Sequence, residues 1–386
     1  MRVVIVGAGI GGLAAAALLS REGHHVTVVE TARELGDVGA GIQMSPNGVR
    51  VLDRLELGAT AREIGCTPDR IVIRRWRDDS ELMTMPMGDL ARQRWGQPYY
   101  SMYRPEVIEI LASRCDGVDL RLGSRVVSVD HDAPSVTLAS GESISADVVV
   151  GADGIHSVVR NSAFGRQSTR FSGFVAYRAL VPRAEVDDLP VEVTNRVGPD
   201  AHIVSYFVGR ERRFLNLVCI YEDREWDVES WNEPGDPEVL RARFADWSPS
   251  ALRVLDRVRD PVFRWALHDR EPLARWSRGA TTLLGDACHP MVPFMAQGAC
   301  QALEDAAELT DALSTHDDVR EALDEYESRR RPRTADIQSR SFANATTYHL
   351  HDGQPQEQRD AAYAAASRRG VDGLAAFDWL YGSVSE

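Results

Sequence analysis

The first thirty residues constrain the fold more than any other part of the chain. Residues 3–6 form a short β-branched run that predicts a buried parallel strand. Gly7, Gly9 and Gly12 follow it; an alanine- and leucine-rich helix comes next, and the run HVTVVE predicts a second strand ending at Glu30. Together these segments predict a complete βαβ unit of the usual length.

The three glycines have separate physical tasks in such a unit. Gly7 makes the tight turn, Gly9 lets a pyrophosphate approach the backbone, and Gly12 lets the helix pack closely on the strand. The helix N-terminus offers free N–H groups to phosphates, and Glu30 is placed to accept hydrogen bonds from ribose hydroxyls. A glycine-rich turn without a ligand is the alternative, but the flanking strand and helix and the acid favour a dinucleotide site.

A second buried strand, in DVVVGADGIHSVVR, leads into the dipeptide Asp153-Gly154. A helix that carries Ser157 and Arg160 follows this turn. Because Asp-Gly is common in turns, an ordinary strand-to-helix connection explains the segment by itself.

A third buried strand, in TTLLGDACHP, reaches a Gly-Asp turn that places Asp286 at a strand end. Pro290 and Pro293 stiffen the loop that follows, and Gly298 opens the next predicted helix. A rigid loop that leads into a helix N-terminus is suited to holding a flat, electron-poor ring and an anionic edge.

Cys288 and His289 next to this turn raise the alternatives of a metal site or a Cys-His nucleophile. Cys300 is twelve positions after Cys288, and no second pair completes a zinc site, so we expect no metal. The five cysteines include no close CxxC pair, which favours a reduced, cytoplasmic setting. The N-terminus lacks the features of a signal peptide.

The formal net charge of −14 disfavours nucleic acid and anionic membrane surfaces as partners. No apolar run approaches the roughly 20 residues that span a bilayer. The order of a βαβ unit, a strand meander, further strand-like runs and a returning strand–helix pair indicates an α/β fold interrupted by a mostly β insertion.

The GxGxxG, DG and GD segments, in this order and spacing over roughly residues 1–345, resemble the FAD-dependent aromatic hydroxylases (class A flavoprotein monooxygenases) similar to para-hydroxybenzoate hydroxylase. The segments GAGIQMSPNGVRVLDRLELG, GFVAYRALVPR and HPMVPFMAQGAC look most like salicylate hydroxylase, 3-hydroxybenzoate 6-hydroxylase and 6-hydroxynicotinate 3-monooxygenase. The resemblance implies a Rossmann-like FAD-binding domain, a mostly β substrate domain and C-terminal helices.

The domain boundaries expected from this resemblance divide the chain into three parts. The FAD-binding domain takes residues 1–75, 101–170 and 268–345. The substrate domain takes residues 76–100 and 171–267, and residues 346–386 form a C-terminal helical tail.

The resemblance also implies roles for the residues around FAD. Glu30 would hold the ribose, Arg104 the diphosphate or ribityl side, and Asp286 the ribityl chain. Asp153 would serve both FAD and the pyridine nucleotide, and the loop from Pro290 to Gly298 would border the isoalloxazine ring.

For the substrate, the resemblance points to His202 and Tyr206, which lie four apart on a predicted strand and therefore share a face. His202 would act as the base and Tyr206 as its hydrogen-bonding partner or relay. Gln43, Pro293 and Phe294 would complete the substrate site. Gln43 and Phe294 replace two histidines of the hydroxynicotinate enzyme, which indicates a more apolar pocket.

The expected activity is NAD(P)H- and FAD-dependent hydroxylation of a small phenolic aromatic through a flavin C4a-hydroperoxide, with dioxygen as co-substrate and NADH or NADPH visiting transiently. The expected oligomeric state is a monomer or homodimer. The alternatives are a tailoring hydroxylase of a larger aromatic natural product, an FAD-dependent reductase, and a non-catalytic escort protein with this fold.

Overall fold

The computed structural model describes residues 1–36, 39–226 and 233–382, and the statements below concern these residues. The strands, numbered along the chain, are β1 (Arg2–Val6), β2 (His25–Val29), β3 (Gly41–Met44), β4 (Arg70–Arg75), β5 (Glu81–Pro86), β6 (Tyr100–Tyr103), β7 (Asp119–Arg121), β8 (Val126–Asp130), β9 (Ser135–Leu138), β10 (Ser143–Ser145), β11 (Val148–Gly151), β12 (Arg170–Pro182), β13 (Val193–Gly198), β14 (Ala201–Val208), β15 (Phe214–Glu222), β16 (Phe263–Asp269) and β17 (Thr281–Leu283).

The α-helices are α1 (Ile10–Arg21), α2 (Pro46–Arg54), α3 (Gly58–Ile64), α4 (Asp89–Trp95), α5 (Arg104–Ala112), α6 (Val158–Phe164), α7 (Pro237–Arg243), α8 (Pro249–Leu255), α9 (Gly298–Thr315), α10 (Val319–Tyr348), α11 (Gln354–Arg368) and α12 (Asp378–Tyr381). None of the helices in the described part of the chain has the length and apolarity needed to cross a membrane.

A five-stranded parallel sheet, with strand order β17-β11-β1-β2-β7, forms the centre of the first half of the fold. β1, β2 and β11 are short valine-rich runs, as expected of strands buried on both faces. α1 is buried along most of its length, and its small alanine side chains permit close packing. The carboxyl ends of β1, β11 and β17 meet at one edge, where ligands of such sheets bind.

A seven-stranded sheet, with order β16-β12-β15-β14-β13-β4-β5, forms the second half. One face of it packs on α7 and α8 through Leu240, Phe244 and Val254. The opposite face packs on the loop before α9 through Val292 and Phe294. Because side chains alternate along a strand, β14 directs Ile203 and Phe207 to the first face and His202 and Tyr206 to the second.

The fold class predicted from the sequence is confirmed, but one boundary differs. The sequence analysis assigns residues 70–75 to the FAD-binding domain, whereas β4 pairs with β13 and β5 in the seven-stranded sheet. The predicted boundary after residue 75 cuts through the β4–β5 hairpin, whose strands hydrogen-bond to each other and therefore belong to one sheet. The other predicted boundaries, after residues 100, 170, 267 and 345, fall inside β6, β12, β16 and α10, so the assignment of whole segments to the two domains stays a prediction.

The C-terminal part returns to both halves of the molecule. α9 and α10 pack on each other, and Tyr326 of α10 donates a hydrogen bond to the carbonyl of Leu283 in β17. α11 packs against β5 of the substrate sheet. The predicted tail is therefore helical over residues 354–368 and 378–381, while residues 383–386 lie outside the described part of the chain.

Candidate active site

The loop between β1 and α1 has the geometry that its glycines predict. Gly7 has a φ of +107°, and a Cβ on it would lie 2.3 Å from the carbonyl oxygen of Ala152. A Cβ on Gly12 would lie 2.0 Å from the carbonyl oxygen of Gly7. A Cβ on Gly9 would meet no described atom within 4 Å. Gly7 and Gly12 are therefore needed for packing, whereas Gly9 faces open space where a ligand can approach.

Glu30 stabilises this loop from the end of β2. One carboxylate oxygen accepts a hydrogen bond from the backbone N–H of Ala8 at 2.7 Å, and the other accepts one from Ala32 at 2.7 Å. Each oxygen keeps a further lone pair for a ribose hydroxyl. The structure thus gives Glu30 a positioning role that the sequence did not predict, beside the ribose role that stays a prediction.

Asp153 caps helix α6 instead of pointing unpaired into a ligand site. Its carboxylate accepts hydrogen bonds from the hydroxyl of Ser157 at 2.5 Å and from the N–H of Val158 at 2.6 Å. Burial raises the pKa of this carboxyl, and the bond from Ser157 opposes the shift. These bonds fix the turn at the end of β11 next to the glycine loop.

Arg160 connects the Asp153-Gly154 turn with the Gly285-Asp286 turn, and no role was predicted for it. Its side chain is fully buried and donates hydrogen bonds to the carbonyls of Ala287 at 3.0 Å and Ile155 at 2.8 Å. Burial lowers the pKa of its guanidinium to about 10. A buried arginine that joins two turns over a long sequence separation has no local pattern that could have revealed it.

Asp286 lies at the end of β17 and lines a cavity of about 100 Å³ together with Ile155, Arg178, Trp265 and Pro293. Desolvation by the neighbouring protein atoms raises the pKa of the Asp286 carboxyl, while His289 and Arg104 oppose this shift. The Asp286 side chain is exposed at the edge of this cavity. Its oxygens are therefore available to hydroxyl groups of a ligand.

His289 has a structural role, which differs from the metal-ligand and nucleophile alternatives that its position next to Cys288 raised. Its Nε2 atom lies 2.5 Å from Oδ2 of Asp305 in α9, and the same carboxylate accepts a bond from the N–H of Gly285 at 2.9 Å. Arg330 of α10 donates to the other oxygen of Asp305 at 2.7 Å. This buried network attaches the turn that carries Asp286 to α9.

Ligand atoms of Cys288, His289 and Asp305 lie within 4.8 Å of one another. The carboxylate of Asp305 is already paired with the cation of Arg330, and burial raises the pKa of the Cys288 thiol well above its usual range. Both features disfavour a metal ion here, because a metal requires a free carboxylate and a thiolate.

The residues predicted for the substrate site form two groups beside the face of the seven-stranded sheet that packs on the loop before α9. In the first group, the hydroxyl of Tyr99 donates a hydrogen bond of 2.6 Å to Oε1 of Gln43. Burial raises the pKa of Tyr206 to about 12, and Arg178 and a hydrogen bond from Gln43 oppose the shift. Tyr206, Gln43 and Tyr99 therefore lie together, and Tyr99 was not among the residues predicted for the substrate site.

The second group surrounds His202, whose ring is buried. The ring centroid lies 5.3 Å from that of Phe294 and 5.4 Å from that of Tyr348. Nδ1 of His202 lies 2.7 Å from Nε2 of His349, at the end of α10. Burial lowers the pKa of His202 well below its usual value, and His349 adds to this effect.

Arg178 is a further residue that the sequence analysis missed. It lines the same cavity as Asp286 and Pro293, and its Cζ atom lies 4.0 Å from the centroid of the Trp265 ring. Burial lowers the pKa of its guanidinium to about 10, with Tyr206 opposing this shift. Among the described residues, no carboxylate forms an ion pair with Arg178, so its positive charge faces the cavity.

These features fit FAD. The open space beside Gly9 admits a pyrophosphate, and the N-terminus of α9 at Gly298 is equally open, since a Cβ there would meet no described atom within 4 Å. The available carboxylate of Asp286 suits ribityl hydroxyls, and Arg104 lies near enough to affect its pKa. An extended cofactor could therefore run from the glycine loop past Asp286 to the loop before α9.

Residues 1–341 match the family described as an FAD binding domain, and the chain belongs to this family of FAD-dependent aromatic monooxygenases. It is 38% identical over 386 residues to 3-amino-4-hydroxybenzoate 2-monooxygenase of Streptomyces platensis, covering 99% of this chain and 96% of that protein. It is 35% identical over 350 residues to 6-hydroxynicotinate 3-monooxygenase of Bordetella bronchiseptica, covering 89% and 91%. The crystal structure of Klebsiella pneumoniae HpxO with FAD and uric acid superposes with a TM-score of 0.86 at 28% identity, covering 100% of this chain and 98% of that one.

Proposed function

We propose that this monooxygenase uses NADH or NADPH to hydroxylate a small phenolic aromatic acid of the hydroxybenzoate, salicylate or hydroxynicotinate type. The observation that carries the proposal is the placement of His202 and Tyr206 on the inner face of β14, toward the loop before α9. The names of the two relatives above, a hydroxybenzoate and a hydroxynicotinate enzyme, support this class of substrate.

The proposed cofactor contacts follow from the geometry of the glycine loop and the two acidic turns. Gly7, Gly9 and Gly12 would receive the pyrophosphate, Glu30 the ribose, and Asp286 the ribityl chain. Bound FAD would take electrons from the pyridine nucleotide and activate dioxygen for transfer of one oxygen atom to the ring. Asp153 would act through the turn that it caps, since its carboxylate is already engaged.

We assign His202 as the base that takes the proton of the substrate's hydroxyl group, because a phenolate is a much better nucleophile than a phenol. The ring is neutral near pH 7, since burial lowers its pKa, and a neutral imidazole can accept a proton. Its Nδ1 atom is bonded to His349, which leaves Nε2 for the substrate. The burial of the ring limits the access of water to this position.

Tyr206 would stay protonated over the working pH range, because its pKa is raised to about 12. The hydroxyl of Tyr206 is then a hydrogen-bond donor. The hydrogen bond from Tyr99 positions Gln43, and Gln43 in turn orients the hydroxyl of Tyr206. Phe294 and Pro293 supply apolar surface for the ring, and the uncompensated charge of Arg178 suits a carboxylate. Together these groups distinguish the two ends of a hydroxylated aromatic acid.

The test is substrate-stimulated NADH and NADPH oxidation by the FAD-loaded enzyme with a panel of salicylate, hydroxybenzoates, 3-amino-4-hydroxybenzoate and hydroxynicotinates, with identification of the products. A hydroxylated product from at least one ring supports the proposal. Turnover of a substrate without oxygen consumption would instead indicate the reductase alternative. The oligomeric state and the cytoplasmic location stay predictions.

A further inference from the structure

The bond between His202 and His349 joins two buried rings from distant parts of the chain. The two nitrogens are 2.7 Å apart and the ring centroids 4.9 Å apart. His202 is 1% exposed and His349 is 8% exposed. His349 is held at the end of α10 by a hydrogen bond from its N–H to the carbonyl of Ala345 at 3.2 Å.

The surroundings of the pair are aromatic and disfavour a positive charge. The ring centroid of Phe174 lies 4.8 Å from that of His349, and Phe294 and Tyr348 contact His202. Burial lowers the pKa of His349 to about 4, with Asp200 opposing the shift. A base at this site therefore works best if the proton it takes does not remain on it.

The hydrogen bond restricts the proton positions of the two rings. A neutral imidazole carries one N–H donor and one acceptor nitrogen. For Nε2 of His202 to be free to accept a proton, its own proton must be on Nδ1 and donated to Nε2 of His349. The proton of His349 is then on its Nδ1, which is buried and has no hydrogen-bond partner among the described residues.

The far side of His349 leads to charged groups at the surface. Asp200, in the turn between β13 and β14, donates its backbone N–H to the carbonyl of His349 at 3.2 Å. Its carboxylate lies 2.8 Å from Nε2 of His351, and both of these side chains are exposed. The charge of Asp200 acts on the His349 ring and opposes the lowering of its pKa, and the exposed Asp200 side chain connects this end of α10 to solvent.

We propose that His349 is a proton-relay residue behind His202. When Nε2 of His202 takes the proton of the substrate's hydroxyl, Nδ1 of His202 gives its proton to Nε2 of His349, and Nδ1 of His349 releases one proton toward Asp200 and solvent. One proton enters the pair and one leaves, so both rings end neutral with their tautomers exchanged. The inference rests on the proposed function, because it assigns the base of the same site a partner.

The experiment follows the ionisation of 4-hydroxy-3-nitrobenzoate, whose phenolate is coloured, when it is bound to the FAD-loaded protein without NAD(P)H. We expect the parent to bind the probe as the phenolate and to release a proton to an indicator dye. His349→Phe, which keeps an aromatic ring, should raise the apparent pKa of the bound probe by about one unit, a roughly tenfold smaller ionised fraction at a given pH. His349→Gln provides a second variant in case the first does not fold.

His202→Gln should raise the apparent pKa of the bound probe by at least as much. Adding His349→Phe to His202→Gln should raise it no further, because the two residues act in the same proton relay. His131→Gln is the matched control, since His131 is a buried histidine that contacts Thr281 and Ser162 away from this face. Unchanged ionisation in both His349 variants overturns the relay, as does a parent that fails to bind or ionise the probe. Product formation from the substrate panel decides the proposed function independently.

Discussion

Asp305 of α9 accepts a hydrogen bond from His289 at 2.5 Å, in the network that also holds the N–H of Gly285. This contact attaches the turn that carries Asp286 to the helix that follows the cofactor loop. The conformation of a proposed FAD contact thus depends on a fully buried carboxylate of the helix that follows. The stability of the fold and the retention of FAD are therefore expected to change together when this network is altered.

Asp305→Asn should destabilise the protein by about 3 kcal/mol, because it removes one of the two buried carboxylates, Asp305 and Glu304, that pair with the cation of Arg330. Urea unfolding measures this change. Asp311→Asn in the same helix is the control: it breaks an ion pair with Arg54 whose side chains are 47% and 35% exposed, and it should cost no more than about 1 kcal/mol. Equal effects of the two substitutions would contradict the structural role of Asp305.

The same carboxylate should make the protein sensitive to acid. Burial alone would raise the pKa of Asp305, but His289 and Arg330 bring it down to about 2, below its ordinary value of 3.8. A depressed pKa in the folded state gives stability that is present above pH 3.8 and is lost as the pH falls toward 2. Unfolding curves over this range should show a steeper loss of stability for the parent than for Asp305→Asn.

The glycine loop offers a test that separates folding from cofactor binding. Gly9→Ala adds a methyl group where no described atom lies within 4 Å, so we expect a normal melting temperature but weaker FAD binding. Gly12→Ala places the same group 2.0 Å from a carbonyl oxygen and should lower the melting temperature. Both variants are compared by thermal unfolding of the apoprotein and by FAD titration. If Gly9→Ala binds FAD like the parent, the pyrophosphate does not lie at Gly9.

Asp286→Ala should weaken FAD binding by about tenfold, since it removes one charged hydrogen-bond acceptor from the cavity. Asp286→Asn keeps an acceptor oxygen and should have an intermediate effect. The ratio of flavin absorbance to protein absorbance after purification measures retention. Full retention by Asp286→Ala would show that the ribityl chain lies elsewhere.

His202→Ala should lower the rate of hydroxylation by about 10²–10⁴-fold, the range typical of a lost general base, while FAD stays bound. The measurement is the rate of product formation by the reduced enzyme with the best substrate of the panel. Tyr206→Phe removes only a hydrogen-bond donor from the same strand face and should have a smaller effect. A His202→Ala variant with parental rates would show that the base is another group.

Local segments could be predicted from the sequence because their patterns are short. The strand, glycines and helix of residues 2–21 form neighbouring contacts, so hydrophobic period and glycine spacing specify them. The spacing of His202 and Tyr206 likewise predicted a shared strand face. Gln43 and Tyr206 were expected in one site from the family resemblance, and the structure brings them together.

The contacts that complete the site could not be predicted in this way. His349 lies 147 residues from His202, in a helix end whose local sequence has no distinguishing pattern. Arg178 lies on a strand where an alternating charged residue is ordinarily placed in solvent, and the packing of Trp265 over it is visible only in the folded chain. Asp305 lies in an acidic stretch of α9, and only the folded chain shows that Arg330 of α10 pairs with it.

The most direct test of the proposed activity is to supply the FAD-loaded enzyme with NADH or NADPH, isotopically labelled dioxygen and each member of the aromatic acid panel. The proposal predicts a product that has gained a hydroxyl group on the ring with one labelled oxygen atom. Its formation should depend on His202. Pyridine nucleotide oxidation that yields only hydrogen peroxide with every substrate, or a product without label, would contradict the assignment.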